Sequence, residues 1–297
     1  MRRLAQRGIL LLPVALTLAV IGTLAYTLTR EGSMQVSSVD AEYDMEVARY
    51  LTESGVHLAK WQNAKAGCSK EVSFGTVDLP GGRLVASKIE RKGKGELLVS
   101  LDATARGGTV RSLTGQRTTV YNLTDVREVA AKTSDGTDAT IVKDVTTNFE
   151  KNDTLALTDD QSRALLKFAP LPGEVDNASV LNAQLTLVLY DANSTQAGRR
   201  LTAHRMTREW KPDASWADIG ASWAPAESAG TAIVDGIPKT YTLDIAGLVD
   251  AWTSKTILNQ GVLLKSTGLL NARFYSLDTA TAGNRPKLVV RYHPRCA

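Results

Sequence analysis

Residues 9–28 read ILLLPVALTLAVIGTLAYTL and contain no charged side chain. A helix of this length would measure roughly 30 Å, which is the thickness of the hydrocarbon core of a bilayer. Arg2, Arg3 and Arg7 precede the run, and arginine favours the cytoplasmic side of a membrane. The sequence therefore predicts a transmembrane helix that leaves the chain after Arg30 outside the cytoplasm.

Two other interpretations of this run need to be weighed. A cleaved secretory signal has a similar basic start, but its apolar core is usually about 7 to 15 residues long and ends at a small-x-small site. The present run is longer, and LAYT at 24–27 is a poor site of that kind. An ordinary permanent membrane anchor fits the run equally well and stays open.

Apolar residues continue at helical spacing beyond the run, so the sequence predicts one helix from Ile9 to about Ala64. Gly55 lies inside this helix at a cost of roughly 1 kcal/mol, which indicates the close approach of a neighbouring element. The apolar stripe that a second element would have to cover consists of Val36, Val39, Tyr43, Val47, Tyr50 or Leu51, Leu58 and Trp61.

The rest of the chain is typical of β structure. Residues 67–125 predict a small antiparallel sheet with a hairpin, 84–90 and 96–101, around a glycine-containing turn. Residues 126–137 are small, polar and charged, and they predict a linker. Residues 138–297 contain many short strand patterns separated by turn residues, which predicts a β-sandwich.

Composition excludes some classes of function. The net charge is +4, and three of the excess positive charges are the arginines ahead of the apolar run, so no basic surface for nucleic acid is predicted. Cys68 and Cys296 are the only cysteines. They could form a disulfide in an oxidising periplasm, although the sequence alone leaves this open.

The junction Arg7-Gly8 before an unbroken apolar helix resembles the leader junction of type IV pilins and pseudopilins. The Gly-apolar-Pro opening that ends at Pro13 is similar to that of minor pilins of mannose-sensitive haemagglutinin type pili. This resemblance implies a basic leader, residues 1–8, that is cut between Gly8 and Ile9. It also implies a pilin-like helix over 9–66 that packs among other pilin or pseudopilin subunits.

A second resemblance covers nearly all of 138–293, where five blocks in order resemble the DNRLRE domain. That family is a jelly-roll sandwich of surface proteins, and some members are carbohydrate-binding modules for acidic polysaccharides. The blocks are SRALLKF at 162–168 with AQLTL at 183–187, AHRM at 203–206 with Trp210 and Trp216, YTLDI at 241–245, GVLLKS at 261–266, and RPKLVVRY at 285–292.

No catalytic constellation is visible, so neither an enzyme nor a cofactor or metal is predicted. His57, His204 and His293 are widely separated, and no glycine-flanked nucleophilic serine occurs. Tryptophans of the last domain could anchor the core or stack on sugars. Arginines and lysines could bind uronate carboxylates or lie on a solvated strand face. The candidate glycan-binding residues are Arg205, Arg208, Trp210, Trp216, Lys265, Arg273 and Tyr275.

The predicted fold class is an α+β pilin-like N-terminal part, with a long helix and a small antiparallel sheet, followed by an all-β jelly-roll sandwich. The predicted function is a minor pilin-like subunit of a type IV pilus or pseudopilus that displays the sandwich for adhesion or glycan binding. Expected partners are other pilin subunits, the bacterial inner membrane and an acidic polysaccharide, with the ectodomain in the periplasm or at the cell surface. A permanently anchored glycan-binding protein and a structural tip subunit without a glycan ligand are the alternatives.

Overall fold

The computed structural model describes residues 11–68, 71–93, 95–106, 108, 111–146, 149, 151–159, 161–192, 199–234, 239–267 and 271–296. The chain divides into two compact units. Unit 1 is formed from the described parts of 1–62, 71–92 and 96–118. Unit 2 is formed from those of 63–70, 93–95 and 119–297.

The described residues form three α-helices and fifteen strands. The helices are α1 (Leu11–Lys65), α2 (Trp216–Ile219) and α3 (Ala246–Thr253). The strands are β1 (Thr76–Leu79), β2 (Gly82–Arg91), β3 (Glu96–Ala105), β4 (Arg111–Thr119), β5 (Arg127–Ala130), β6 (Gly136–Val142), β7 (Thr154–Thr158), β8 (Ser162–Phe168), β9 (Ser179–Ala192), β10 (Arg199–Met206), β11 (Trp223–Val234), β12 (Thr240–Asp244), β13 (Val262–Thr267), β14 (Asn271–Tyr275) and β15 (Lys287–His293).

In unit 1 a four-stranded sheet of order β1-β2-β3-β4, in which β1, β2 and β3 are antiparallel, packs on the second half of α1. Residues of β3 alternate between buried and half-buried, as expected for a strand with one covered face. A Cβ atom on Gly55 would lie 2.7 Å from side-chain carbons of both Leu84 and Leu101. The close approach that Gly55 indicates in the sequence is therefore the contact between α1 and this sheet.

The face of α1 that the sheet covers agrees only in part with the one predicted. Small residues dominate it, because Ala48 and Ala59 are fully buried and flank Gly55. Of the predicted stripe, Leu51 is buried and Val47 and Leu58 are half-buried, whereas Val39, Tyr43, Tyr50 and Trp61 are exposed. Small side chains allow the sheet backbone to approach the helix closely, and this contact was favoured over burial of the larger apolar residues.

An early segment of α1, residues 16–31, has side chains that the described part of the chain leaves exposed. The side chains of residues 16–31 are all exposed, among them Leu16, Ile21, Leu24 and Leu28. Judged by length and hydropathy over the described residues, none of the helices qualifies as a membrane span.

Unit 2 is built on one connected set of eleven strands. The order is β11-β10-β13-β8-β7-β14-β9-β15-β5, with β12 paired to β9 and β6 paired to β8. The fourteen-residue strand β9 makes the connection, because it pairs with β12 and β15 along its first part and with β14 at its end. The main core of unit 2 contains the inward residues of these strands together with Leu248, Val249 and Trp252 of α3.

The fold class predicted from the sequence is wrong. The protein is mainly β, with fifteen strands among the described residues, and the strand pairing does not follow the predicted boundaries. Residues assigned to the linker form β5, which pairs with β15 from Val289–Ala130 to Tyr292–Arg127. Residues 63–70 and 93–95, assigned to the N-terminal part, belong to unit 2. Pairing between residues distant in sequence overrode the divisions that local composition indicated.

Candidate functional site

The seven predicted glycan-binding residues all lie in unit 2, and the structure separates them into three groups. Trp210 and Trp216 belong to the segment that follows β10, whereas Arg273 and Tyr275 lie together on β14. The other three lie on or next to β10 and β13. The predicted leader cleavage residues Gly8 and Ile9 fall outside the described residues.

Trp210 is a core residue. It is only 8% exposed and packs in a second apolar cluster with Ile141, Leu165 and Met206. Its indole Nε1–H donates to the carbonyl oxygen of Gln260 at 2.9 Å. A buried ring whose polar atom is satisfied offers no surface for stacking on a sugar.

Trp216 is held by an arginine that the sequence analysis did not single out. The guanidinium carbon of Arg163, on β8, lies 4.1 Å from the ring centroid of Trp216 and 5.0 Å from that of Trp223. His204 meets Trp223 edge-on, with 4.9 Å between ring centroids. These cation–π and aromatic contacts fasten the segment containing α2 onto the sheet, so they explain Trp216 as a structural residue.

Three basic residues do not converge on one point. Arg205 and Lys265 are half-buried on the adjacent strands β10 and β13, and Arg208 is exposed in the segment after β10. Across the two strands Lys265 is opposite Thr202, whereas Arg205 is opposite Val262. Because neighbouring residues along a strand point to opposite faces, this register does not present the two cations side by side.

Arg273 and Tyr275 do belong to a common surface. Ala272 and Phe274 point into the main core, so Asn271, Arg273 and Tyr275 point to the other face of β14. On β9, Asp191 lies opposite Arg273, but Leu189 lies opposite Phe274.

The register of β9 against β14 makes Tyr190 the extra residue of a β-bulge. A bulge re-aims side chains, and Tyr190 is 46% exposed beside Asp191. The Tyr190 and Tyr275 rings meet edge to face, with centroids 5.2 Å apart. We call Tyr190, Asp191, Arg273 and Tyr275 the tyrosine platform.

The charges of the tyrosine platform are paired within it. Arg273 donates from Nε to Asp191 Oδ1 at 2.8 Å and from Nη2 to Asp191 Oδ2, so the contact is bidentate. This hydrogen bonding lowers the pKa of the Asp191 carboxyl from its ordinary value. The guanidinium carbon also lies 5.0 Å from the centroid of the Tyr190 ring. The arginine is thus fixed in one orientation and its charge is neutralised locally.

The cysteines that the sequence left open are joined by a disulfide in unit 2, with their Cα atoms 5.6 Å apart. The backbone around the disulfide is also paired. Cys296 N–H donates to Val120 O at 3.0 Å, and Leu123 N–H donates to Ala64 O at 3.2 Å. The last residues of the chain are therefore fastened to the end of α1.

Sequence reasoning missed Tyr190, Asp191 and Arg163 as members of these clusters. Tyr190 and Asp191 are neighbours on a strand, and simple alternation would send them to opposite faces. Only the bulge, which depends on the register with β14, brings them to one face. Alternation along β8 indicates that Arg163, which lies between the buried residues Ser162 and Ala164, faces outward. Its tryptophan partners lie more than fifty residues later in the sequence, so the strand pattern does not identify them.

No group of three histidine, cysteine or acidic side chains suited to a metal ion occurs among the described residues. Comparison with family models and with curated proteins gave no match for this chain.

Proposed function

We propose that the protein is a subunit of a type IV pilus or secretion pseudopilus, held by the N-terminal part of α1, which displays its β-rich unit for adhesion or glycan binding. The observation that carries the proposal is the exposure of the side chains of residues 16–31 on a helix whose sequence is uncharged from residue 11, where it begins, to residue 28. The proposed location is the bacterial inner membrane, with the β-rich unit in the periplasm or at the cell surface.

Exposed apolar side chains on every side of a helix need a cover. Burial contributes roughly 25 cal/mol per Å² of apolar surface, so several uncovered leucines together with Ile21 favour transfer into lipid or into a bundle of similar helices. The exposed stripe of Val39, Tyr43, Tyr50 and Trp61 extends the apolar surface beyond the uncharged run. Packing among other subunits would cover both parts, whereas lipid alone would cover only the first.

Two alternatives use the same anchor. In the first, the protein is permanently anchored and binds glycans without entering a filament. In the second, it is a structural tip or initiation subunit that contacts only other subunits. The tyrosine platform favours a ligand-binding role over the purely structural one, because it presents aromatic rings and a preorganised polar pair on an open face of β9 and β14.

The experiment that separates the filament subunit from the permanent anchor is mass spectrometry of the protein purified from membranes. The filament subunit should begin at Ile9, because the leader would be cut after Gly8. A Gly8→Glu variant expressed in the same cells should keep Met1 and disappear from sheared filaments while it stays in the membrane fraction. Retention of Met1 by the unaltered protein would contradict the filament proposal and leave the permanent anchor.

A further inference from the structure

The tyrosine platform has a composition that distinguishes between classes of glycan. Arginine only donates hydrogen bonds and an ionised aspartate only accepts them, whereas each sugar hydroxyl does both. Arg273 and Asp191 therefore offer complementary partners for neighbouring hydroxyl groups, at fixed positions on one face of the sheet. Tyr190 and Tyr275 place apolar ring surface beside this pair, where the C–H face of a pyranose ring can pack.

A carboxylate fits the platform poorly. The strongest contact between arginine and a uronate is the bidentate fork, and Asp191 already occupies the Nε side of the Arg273 fork. A uronate would have to displace Asp191 or lie close to its negative charge. Among the described residues of the two strands paired next to the tyrosine platform, β7 has no charged side chain, and the other outward residue of β14, Asn271, is uncharged.

We propose that the tyrosine platform is a binding site for an uncharged, hexose-based glycan, and that Asp191 excludes acidic polysaccharides from it. This inference rests on the proposed function, because it names the ligand class that the displayed unit would bind. It replaces the expectation of an acidic polysaccharide, which came from family resemblance and from counting cationic residues on strands.

The test uses the full chain in detergent and titrates it by calorimetry with cellohexaose and mannohexaose as neutral probes and with trigalacturonate as the acidic probe. We expect a neutral hexasaccharide to bind and trigalacturonate to fail. Tyr190→Ala and Tyr275→Ala should each weaken binding of the neutral probe by about tenfold or more. Trp216→Phe should leave it unchanged, because that ring belongs to the contacts of Arg163 rather than to the platform.

The sharpest variant is Asp191→Asn. It removes the negative charge and releases the Arg273 fork, so it should gain binding to trigalacturonate and lose affinity for the neutral probe. Asp176→Asn is the matched control, because Asp176 pairs with Lys255 at 3.1 Å in the same unit but away from the tyrosine platform. It should change neither binding constant.

Three results would overturn the inference. The first is binding of trigalacturonate by the unaltered protein at the platform, and the second is loss of neutral-probe binding in Trp216→Phe but not in Tyr190→Ala. The third is binding of none of the probes, which would also remove the glycan-binding part of the proposed function. The filament part would then still be decided by the N-terminal residue of the mature protein, so the two failures can be told apart.

Discussion

Asp138 is an acidic residue buried in the β-rich unit, where it is 5% exposed on β6. Its Oδ2 atom accepts a 2.6 Å hydrogen bond from the backbone N–H of Leu277. Burial raises the pKa of the Asp138 carboxyl to about 7, the Leu277 hydrogen bond opposes the rise, and the charge of Asp278 adds to it. The folded protein therefore keeps this carboxyl protonated over a range in which the unfolded chain ionises it.

This shift predicts that stability falls as the pH rises. Between the ordinary aspartate pKa of 3.8 and about 7 the folded state binds more protons than the unfolded state, so the free energy of unfolding decreases with pH. The contribution of Asp138 should decline by roughly 2–4 kcal/mol across this window and then stay constant. Asp138→Asn should remove the decline and raise stability at about pH 8, as measured by denaturant unfolding at a series of pH values.

Asp278→Asn is the companion variant for this measurement. It removes the charge repulsion from Asp278, which raises the pKa of Asp138 less than burial does. The pKa of Asp138 should therefore fall only in part, and the decrease in unfolding free energy with pH should become smaller without disappearing. If the stability of Asp138→Asn still fell between about pH 4 and pH 7 as it does in the unaltered protein, another group would be responsible for the pH dependence.

Tyr190 shows at the same scale why part of the candidate site could not be predicted. The sequence singled out Arg273 and Tyr275 as candidate binding residues, and alternation on one strand is enough to place them on the same face. The partners of Arg273 depend on which residue of β9 lies opposite it. A one-residue change of register alters every such pairing, and the bulge at Tyr190 is a change of this kind.

At the scale of elements, local patterns predicted more than pairings did. SRALLKF at 162–168 belongs to the short strand patterns predicted in residues 138–297, and β8 has those bounds. The glycine-containing turn predicted the hairpin of β2 and β3, and the helical spacing predicted a helix to about Ala64, where α1 ends at Lys65. By contrast, the short and mostly exposed REVA of β5 has no periodic signal, and it becomes a strand only because β15 provides hydrogen-bonding partners.

The buried face of α1 leads to a prediction about Gly55. Replacement of a helical glycine by alanine normally stabilises a helix by up to about 1 kcal/mol. At Gly55 the added Cβ would lie 2.7 Å from Leu84 and Leu101, both of which are almost fully buried. We expect Gly55→Ala to destabilise unit 1 by roughly 1–3 kcal/mol, because overpacking outweighs helix propensity.

Gly22→Ala provides the matched control on the same helix, since nothing lies within 4 Å of a Cβ built there. Hydrogen exchange of the β2 and β3 amides in the full chain should show faster opening in Gly55→Ala and no change in Gly22→Ala. Equal exchange in all three proteins would mean that the sheet does not depend on close contact with this glycine.

At the scale of the whole molecule, the two cysteines link parts of the chain that are 228 residues apart in sequence. The residues around the two cysteines also contact each other closely. Gly95 has a φ angle of +70°, and a Cβ there would lie 2.6 Å from the carbonyl oxygen of Cys296. Asn122 N–H donates to Pro294 O at 2.9 Å, and Tyr121 forms an isolated β-bridge with Arg295. The two cysteines made a disulfide possible, but no local pattern indicates the pairing of Tyr121 and Asn122 with the chain end, because these residues acquire their partners only in the folded chain.

Because the disulfide closes so long a loop, it restricts the unfolded chain strongly, and its removal should cost roughly 2–5 kcal/mol of unfolding free energy. Cys68→Ser, Cys296→Ser and the double variant should be destabilised by similar amounts, because each of them loses the same bond. In denaturant titrations, a phosphine reductant should bring the unaltered protein to the level of the double variant and leave the double variant unchanged. Insensitivity of the unaltered protein to complete reduction would show that the backbone hydrogen bonds of Val120, Asn122 and Leu123 hold the chain end without the disulfide.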